Sequence, residues 1–225
     1  MKLSEETLKV LKNFAGINPS ILIKPGNNIS TQAIAGNIVA EADIKEEFPL
    51  EFCLYDLVQF LNTLKLFANP VLDFRNADQN FMYICEEDNI DFKVQYTFAK
   101  KKHIVYPERK PVMGTPDISF DLDVDTLATV MKASNVMQLP HIMILPDVEG
   151  IKIEVSDAKN PSSNKFSINI DGNAPKDKEF KLIFKTEVFK MLPANYHVDI
   201  VGNKVSSFES DKVDYYIGLD PNSQF

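Results

Sequence analysis

Three histidines, two cysteines and a run of alternating aspartates are the residues of this sequence whose types and spacing invite a chemical reading. Asp121-Leu122-Asp123-Val124-Asp125 has the carboxylate spacing that opens a calcium loop, where oxygen ligands converge on a hard cation. Such a loop needs Gly for its sharp turn and a bidentate acid at its far end, and this chain offers Thr126 and Lys132 there. The same stretch reads better as a helix start, with Asp123 capping the first amides and Asp125 at the positive end of the dipole. His103, His141 and His197 stand in no zinc-protease or hydrolase spacing, and no Gly-x-Ser-x-Gly elbow is present. No Gly-Lys pair closes a glycine loop, so any ATP dependence must come from a partner. The residues therefore predict a protein that is not an enzyme and uses no cofactor and no metal.

The elements that would carry any site follow from periodicity and turn chemistry. Ser4 precedes Leu8, Leu11, Phe14 and Ala15 at helical spacing, which predicts a capped amphipathic helix from Ser4 to about Ala15. Strands are predicted near 20–24, 29–34 and 38–44, separated by turns at Pro25-Gly26-Asn27-Asn28 and Gly36-Asn37. Leu50, Phe52 and Leu54 alternate as another strand, Asp56 caps a helix ended by Asn69-Pro70, and strands near 71–75, 81–86 and 91–98 follow. Residues 99–116 carry Lys100-Lys101-Lys102 and then Pro107, Pro111 and Pro116, a spacing that resists helix and central strand alike and reads as a connector. The order then recurs: a strand near 117–122, a helix over 123–135, strands near 141–145, 150–157, 165–170 and 180–185, a helix over 187–192, and three closing strands. A shift of 119 positions lays Ser4 on Asp123 and Thr7 on Thr126, and a shift of 131 lays Leu57 on Val188 and Leu61 on Leu192. The matching order of elements predicts a duplicated α+β architecture with domains at 1–98 and 117–225.

Composition narrows the class further. With 44% hydrophobic and 25% charged residues in 225, the chain has the make-up of a globular protein, and no apolar run is long enough for a membrane-spanning helix. Cys53 and Cys85 have no short metal spacing, which suggests a reducing, intracellular compartment without a disulfide framework, and charge within the first six residues suggests no signal peptide. The net charge of −8 argues on its face against a broad basic surface for nucleic acid.

Charge placement on the predicted helices runs against that total. Beyond each first turn the charged residues are Lys9, Lys12, Lys65, Lys132 and Lys190, with no acid among them. Two readings stand side by side: the lysines complement helix dipoles, or they present a sparse basic surface that holds a phosphate backbone loosely. A second pair of readings concerns Val105, Tyr106, Pro107 and Val112 of the connector, with Tyr216 and Phe225 near the end. These apolar side chains either anchor the connector or line a groove for a peptide.

The opening Met1-Lys2-Leu3-Ser4, with Thr7 and Leu11-Lys12-Asn13-Phe14-Ala15-Gly16-Ile17-Asn18, closely resembles the DNA polymerase sliding clamps of T-even-type bacteriophages. Tyr55-Asp56-Leu57, Phe60-Leu61, Pro107, Lys110-Pro111, Pro193-Ala194-Asn195-Tyr196 and a terminal Phe225 extend the resemblance over essentially the whole chain. It implies a DNA clamp fold of two similar domains, each of two βαβββ units, closed head to tail as a homotrimer around duplex DNA. Helices would line the hole, so Lys9, Lys12, Lys65, Lys132 and Lys190 become DNA-facing candidates contacting phosphates without base readout. The resemblance also implies a partner-peptide pocket at Val105, Tyr106, Pro107, Val112, Tyr216 and Phe225. Its implied subunit interface pairs Phe92, Val94 and Tyr96 with Phe166 and Ile168 of a neighbour. The implied partners are the phage DNA polymerase, an ATP-driven clamp loader and late-transcription factors, in the cytoplasm of an infected bacterial host. A β-rich viral structural or assembly protein is the competing reading.

Overall fold

A side-chain cap decides where the first helix begins. In the computed structural model, which describes residues 1–148, 150–175 and 178–225, the Ser4 hydroxyl accepts the Thr7 amide at 3.3 Å and α1 runs Glu5–Ile17. Val10, Leu11, Phe14 and Ile17 are its buried stripe. Asp56 caps α2 (Leu57–Leu64) by accepting the Gln59 amide at 2.8 Å. Asp123 caps α3 (Val124–Met137) through the Thr126 amide, also at 2.8 Å. Ser4 and Asp123 thus hold equivalent positions, as the shift of 119 implied. Asp123 spends its carboxylate on a helix end, and its other oxygen accepts the Thr126 hydroxyl at 2.7 Å.

The chain divides into two units, Met1–Arg109 and Lys110–Phe225. In the first, β1 (Ile21–Ile23), β2 (Gly26–Gln32), β3 (Ile38–Phe48) and β4 (Phe52–Leu54) form one antiparallel sheet in the order β4-β1-β2-β3, and β5 (Pro70–Asp73), β6 (Phe81–Glu86) and β7 (Asn89–Thr97) form another. Helices α1 and α2 lie against each other, and α1 packs on β2 and β3. The turn expected at Pro25–Asn28 is replaced by an early strand start: Gly26 takes φ of +105°, and between the pairs Gly26–Phe48 and Asn28–Asp43 the register shifts, so the longer β3 segment bulges opposite Asn27. Helix α2 stops at Leu64, several residues before Pro70, which instead opens β5.

In the second unit β8 (Ile118–Leu122), β9 (His141–Pro146), β10 (Ile151–Ser156), β11 (Phe166–Ile170), β12 (Leu182–Lys185), β13 (Tyr196–Val201), β14 (Val205–Glu209) and β15 (Asp214–Gly218) form sheets ordered β15-β14-β13-β8 and β11-β10-β9-β12. Helix α3 packs on β9 and β10. The leading strand of each repeat joins the other repeat's sheet: β4 pairs with β1, β8 with β13 and β12 with β9. Ahead of α1, Met1 bonds to β5. Its amine donates to the Leu72 carbonyl at 2.7 Å and its carbonyl accepts the Leu72 amide at 2.8 Å.

The helix expected over 187–192 does not form. One 3-10 turn, Thr186–Val188, stands there, and Leu192 is bonded sideways: its amide donates to the Tyr215 hydroxyl at 3.0 Å and its carbonyl accepts the Tyr196 hydroxyl at 2.5 Å. Those two tyrosines take up groups that a helix would have used internally, and Pro193 ends any continuation. Phe189, half-buried, packs against the core instead, with ring centroids 5.5 Å from Phe184 and 5.6 Å from Phe208. Shape-filling by an aromatic cluster outweighs the helical spacing.

Candidate nucleic-acid and subunit interfaces

Helix geometry places Lys9 and Lys12 on the exposed side of α1, opposite Leu11 and Phe14, while Lys132 is exposed on α3 opposite Leu127 and Val130. Among the described residues none of these three ammonium groups makes an ion pair. Elsewhere in the same chain exposed lysines do find carboxylates: Lys2 meets Glu87 at 2.8 Å and Lys45 meets Glu6 at 2.8 Å. Lys65 differs from the helix lysines, because it caps α2 and donates to the Asn62 side chain at 2.9 Å. Lys190 is corrected: it follows the 3-10 turn Thr186–Val188 and lies on no helix, since Leu192 is held by tyrosines. Side chains beside the lysines are amides and hydroxyls, Asn13 on α1 and Thr129 and Asn135 on α3. Mobile ammonium groups among amides and hydroxyls are the kind of chemistry that can meet phosphate oxygens without reading bases.

Two strands end their sheets unpaired on one side. Among the described residues β7 pairs only with β6, and β11 only with β10. An open edge offers a row of amides and carbonyls to another chain. On β7 the side chains of Phe92, Val94 and Tyr96 turn toward α2. Phe92 meets the ring of Phe67, just past the end of α2, at 5.0 Å in a tilted arrangement, and Tyr96 meets Phe60 at 5.5 Å while donating to the Asp56 carbonyl at 3.2 Å. Burial pushes the Tyr96 hydroxyl up to about 12, with Asp56 adding to the shift, so it stays a donor. On β11 Phe166 and Ile168 are half-buried opposite Val155 and Ile153. Sequence reasoning missed a groove of about 350 Å³ where α2 meets β7, lined by Tyr55, Asp56, Gln59, Thr63, Val94 and Tyr96. The isolated Tyr55, 66% exposed just ahead of the α2 cap, is the signal that marks it.

The six residues grouped as a peptide pocket have different surroundings. Val105 is 40% exposed and its carbonyl accepts from the Asn18 amide group at 3.0 Å, Tyr106 is half-buried, and Pro107 is buried. In the second unit Val112 is almost fully exposed and Tyr216 is buried beneath the Lys110 ammonium, 5.7 Å from its ring centre. Phe225 rests on Phe180 at 6.2 Å with the Lys178 ammonium 3.5 Å over its ring. The tail is tied to the strand sheet by paired backbone bonds between Lys181 and Gln224.

His141, His197 and both cysteines are held within the fold. His141 is buried and its Nδ1 accepts the Ala158 amide at 3.1 Å, while His197 lies 2.7 Å from Asp121 on the neighbouring strand. Cys53 and Cys85 are buried free thiols whose pKa burial raises. Among the described residues no group of three or more His, Cys, Asp or Glu is placed to hold a metal ion.

Comparison with known proteins gives consistent matches. A family described as "gp45 sliding clamp, C terminal" matches residues 119–221, and one described as "DNA polymerase processivity factor" matches residues 4–95. The sliding clamp of Vibrio phage KVP40 is 33% identical over 98% of this chain and 99% of its own. That of Escherichia phage RB69 is 29% identical over 99% and 98%, and that of Enterobacteria phage T4 is 27% identical over 99% and 98%. Among solved structures, the proliferating cellular nuclear antigen of Entamoeba histolytica superposes with a TM-score of 0.70 at 12% identity, covering 97% of each chain. The A. fulgidus homologue, solved with the C-terminal region of FEN-1 bound, gives 0.69 at 14% identity over 99% and 98%. At such identities these two establish the clamp fold.

Proposed function

Because the chain belongs to the bacteriophage sliding-clamp family of DNA polymerase processivity factors, we propose that three copies close head to tail into a ring around duplex DNA and tether the phage polymerase there. The observation that carries this reading is the set Lys9, Lys12 and Lys132: exposed on the helices of an acidic chain and, among the described residues, without a carboxylate partner. A ring that cannot leave its DNA sideways needs little affinity, because topological linkage keeps the tethered polymerase at high effective concentration near the primer end. Few lysines then suffice, and weak phosphate contacts permit sliding. Domains 1–98 and 117–225 supply the ring segments, with 99–116 joining them. Edges β7 and β11 are unlike surfaces, and pairing one with the other makes a head-to-tail contact that closes if the rotation per subunit is right. In the same reading the protein has no catalytic activity, is opened by an ATP-driven loader, serves late transcription as a mobile activator, and works in the cytoplasm of the infected bacterium.

The test is trapping. Light scattering should give the mass of a trimer, and protein loaded on nicked circular DNA should stay bound through a high-salt wash, then run off once the circle is cut. A monomer washed equally from circles and linear fragments would favour the structural or assembly protein.

A further inference from the structure

His141 opens β9 and is buried, with Ser156 of β10 and Lys185 of β12 as its register partners on the two neighbouring strands. Its Nδ1 accepts the Ala158 amide at 3.1 Å, so that nitrogen is bare and the ring proton sits on Nε2. This bond ties the loop over residues 157–164, which runs from β10 to β11, back to β9. Inside the loop Asp157 holds the turn: its Oδ1 accepts the Lys159 amide at 2.9 Å, its amide donates to the Ser163 hydroxyl at 3.0 Å, and its carbonyl accepts the Asn160 amide at 3.0 Å. The same Oδ1 lies 3.5 Å from His141 Nδ1.

Charged groups stand around this ring on several elements. Asp157 and Lys159 belong to the loop. Lys165, at the entry to β11, places its ammonium 3.2 Å from the buried Glu154 carboxylate of β10, to which the Ser156 hydroxyl donates at 3.3 Å. Lys185 of β12 lies 3.8 Å from Glu187. Asp220 comes from the tail; the Asn222 amide holds its carboxyl below the ordinary carboxylate range against burial, with His141 and Lys185 adding to the effect. The two ends of β11 are fastened differently. At its far end a Cβ on Gly150 would stand 2.6 Å from the Ile170 carbonyl oxygen, and one on Gly172 would collide with Ile151, so the backbones are pressed together. Asn173 then exchanges two backbone hydrogen bonds with Ser119 of β8, at 2.9 and 2.7 Å. No titrating side chain takes part in those contacts, whereas the near end depends on His141 and the Glu154–Lys165 pair. Among the described residues the other edge of β11 is open.

We propose that His141 is a pH-sensitive latch on the β10–β11 loop, and that its protonation frees the loop and the first residues of β11, weakening the head-to-tail contact made by that edge. A protonated Nδ1 carries its own hydrogen and cannot accept from Ala158. Its acceptor becomes the Asp157 carboxylate, and drawing Asp157 to the ring takes Oδ1 from the Lys159 amide and opens the turn. Histidine is the side chain whose charge changes between about pH 5 and 8, and ordinary carboxylates titrate about two units lower. The Ala158 bond is therefore made at neutral pH and lost as pH falls through the imidazole titration. The consequence for the ring rests on the sliding-clamp reading, while the latch itself needs only the single chain.

The experiment follows amide exchange in the full chain at about pH 7.5 and about pH 5.5, as protection factors corrected for the intrinsic rate at each pH. In the wild type, protection over residues 158–167 should fall about tenfold at the lower pH, while residues 168–173, held by the glycine end, keep theirs. His141→Asn, whose Oδ1 takes the place of Nδ1 as an acceptor that does not titrate, should abolish the difference. A second readout needs no variant: the Ala158 amide shift should follow the His141 imidazole titration and not that of His103 or His197. Unchanged wild-type protection, an equal loss in His141→Asn, or an Ala158 shift that follows another histidine overturns the proposal. By light scattering, the assembled wild type should dissociate at about tenfold higher concentration at the lower pH, and His141→Asn at the same concentration at both. Equal behaviour of the two proteins overturns the link from latch to contact. A chain that is monomeric at both pH values defeats the clamp reading instead, and the exchange data then still decide the latch.

Discussion

The Glu46 carboxylate on β3 accepts the Thr7 hydroxyl in the first turn of α1, and its other oxygen accepts the Ser4 amide. A strand residue thus completes the helix cap that Ser4 begins. Burial pushes the Glu46 carboxyl up, but the Thr7 and Ser4 hydrogen bonds outweigh it and hold the group below its ordinary value. A lowered folded pKa means the contribution is present above the unfolded carboxylate range and lost as pH falls through the folded value. Glu46→Gln should cost about 1 kcal/mol at neutral pH, and the difference from wild type in urea unfolding should shrink toward pH 3. A constant difference across that range would remove Glu46 from the cap.

His197 behaves in the opposite sense. The Asp121 carboxylate at 2.7 Å raises its pKa most, with Asp199 at 3.5 Å and Glu209 across the strand pair adding to it against burial. Its stabilising effect is full below the unfolded value of about 6.5 and fades as pH rises through the raised folded value. Asp121→Asn should bring the imidazole titration, followed by NMR, back toward the ordinary value. An unchanged titration would show that Asp121 is not the cause.

At the end of α3 Gln138 takes a left-handed conformation with φ of +53°, and its amide donates to the Ser134 carbonyl. A side chain is strained there and glycine is not. Gln138→Gly should raise stability by roughly 0.5–1 kcal/mol. A lower melting temperature would contradict this account of the helix end.

Tyr215→Phe leaves the Leu192 amide without its acceptor and should cost about 1–2 kcal/mol, read from denaturant midpoints. If Thr186–Leu192 turns helical instead, visible as new medium-range NOEs, the tyrosine alone was preventing the helix.

Reversing Lys9, Lys12 and Lys132 to Glu should shorten residence on circular DNA while leaving the assembled mass unchanged. Loss of assembly with retained DNA contact would place those residues at a subunit boundary.

The sequence by itself determined the helix starts, because Ser4, Asp56 and Asp123 act on amides two or three residues away and need no partner from afar. It determined most of the succession of strands along the chain for the same reason, since alternation and turn residues are local. The absence of nucleophile, phosphate-loop and metal spacings was equally plain in the residue types. Only the tertiary structure decided the fate of 187–192, where helical spacing lost to Tyr196 and Tyr215, residues whose hydroxyls reach Leu192 only after β13 and β15 are in place. It also decided that Met1 bonds to Leu72 of β5 and that Glu46 completes the α1 cap. These depend on which distant side chains meet, and a linear pattern encodes the face of each element but not the neighbour against which that face is pressed.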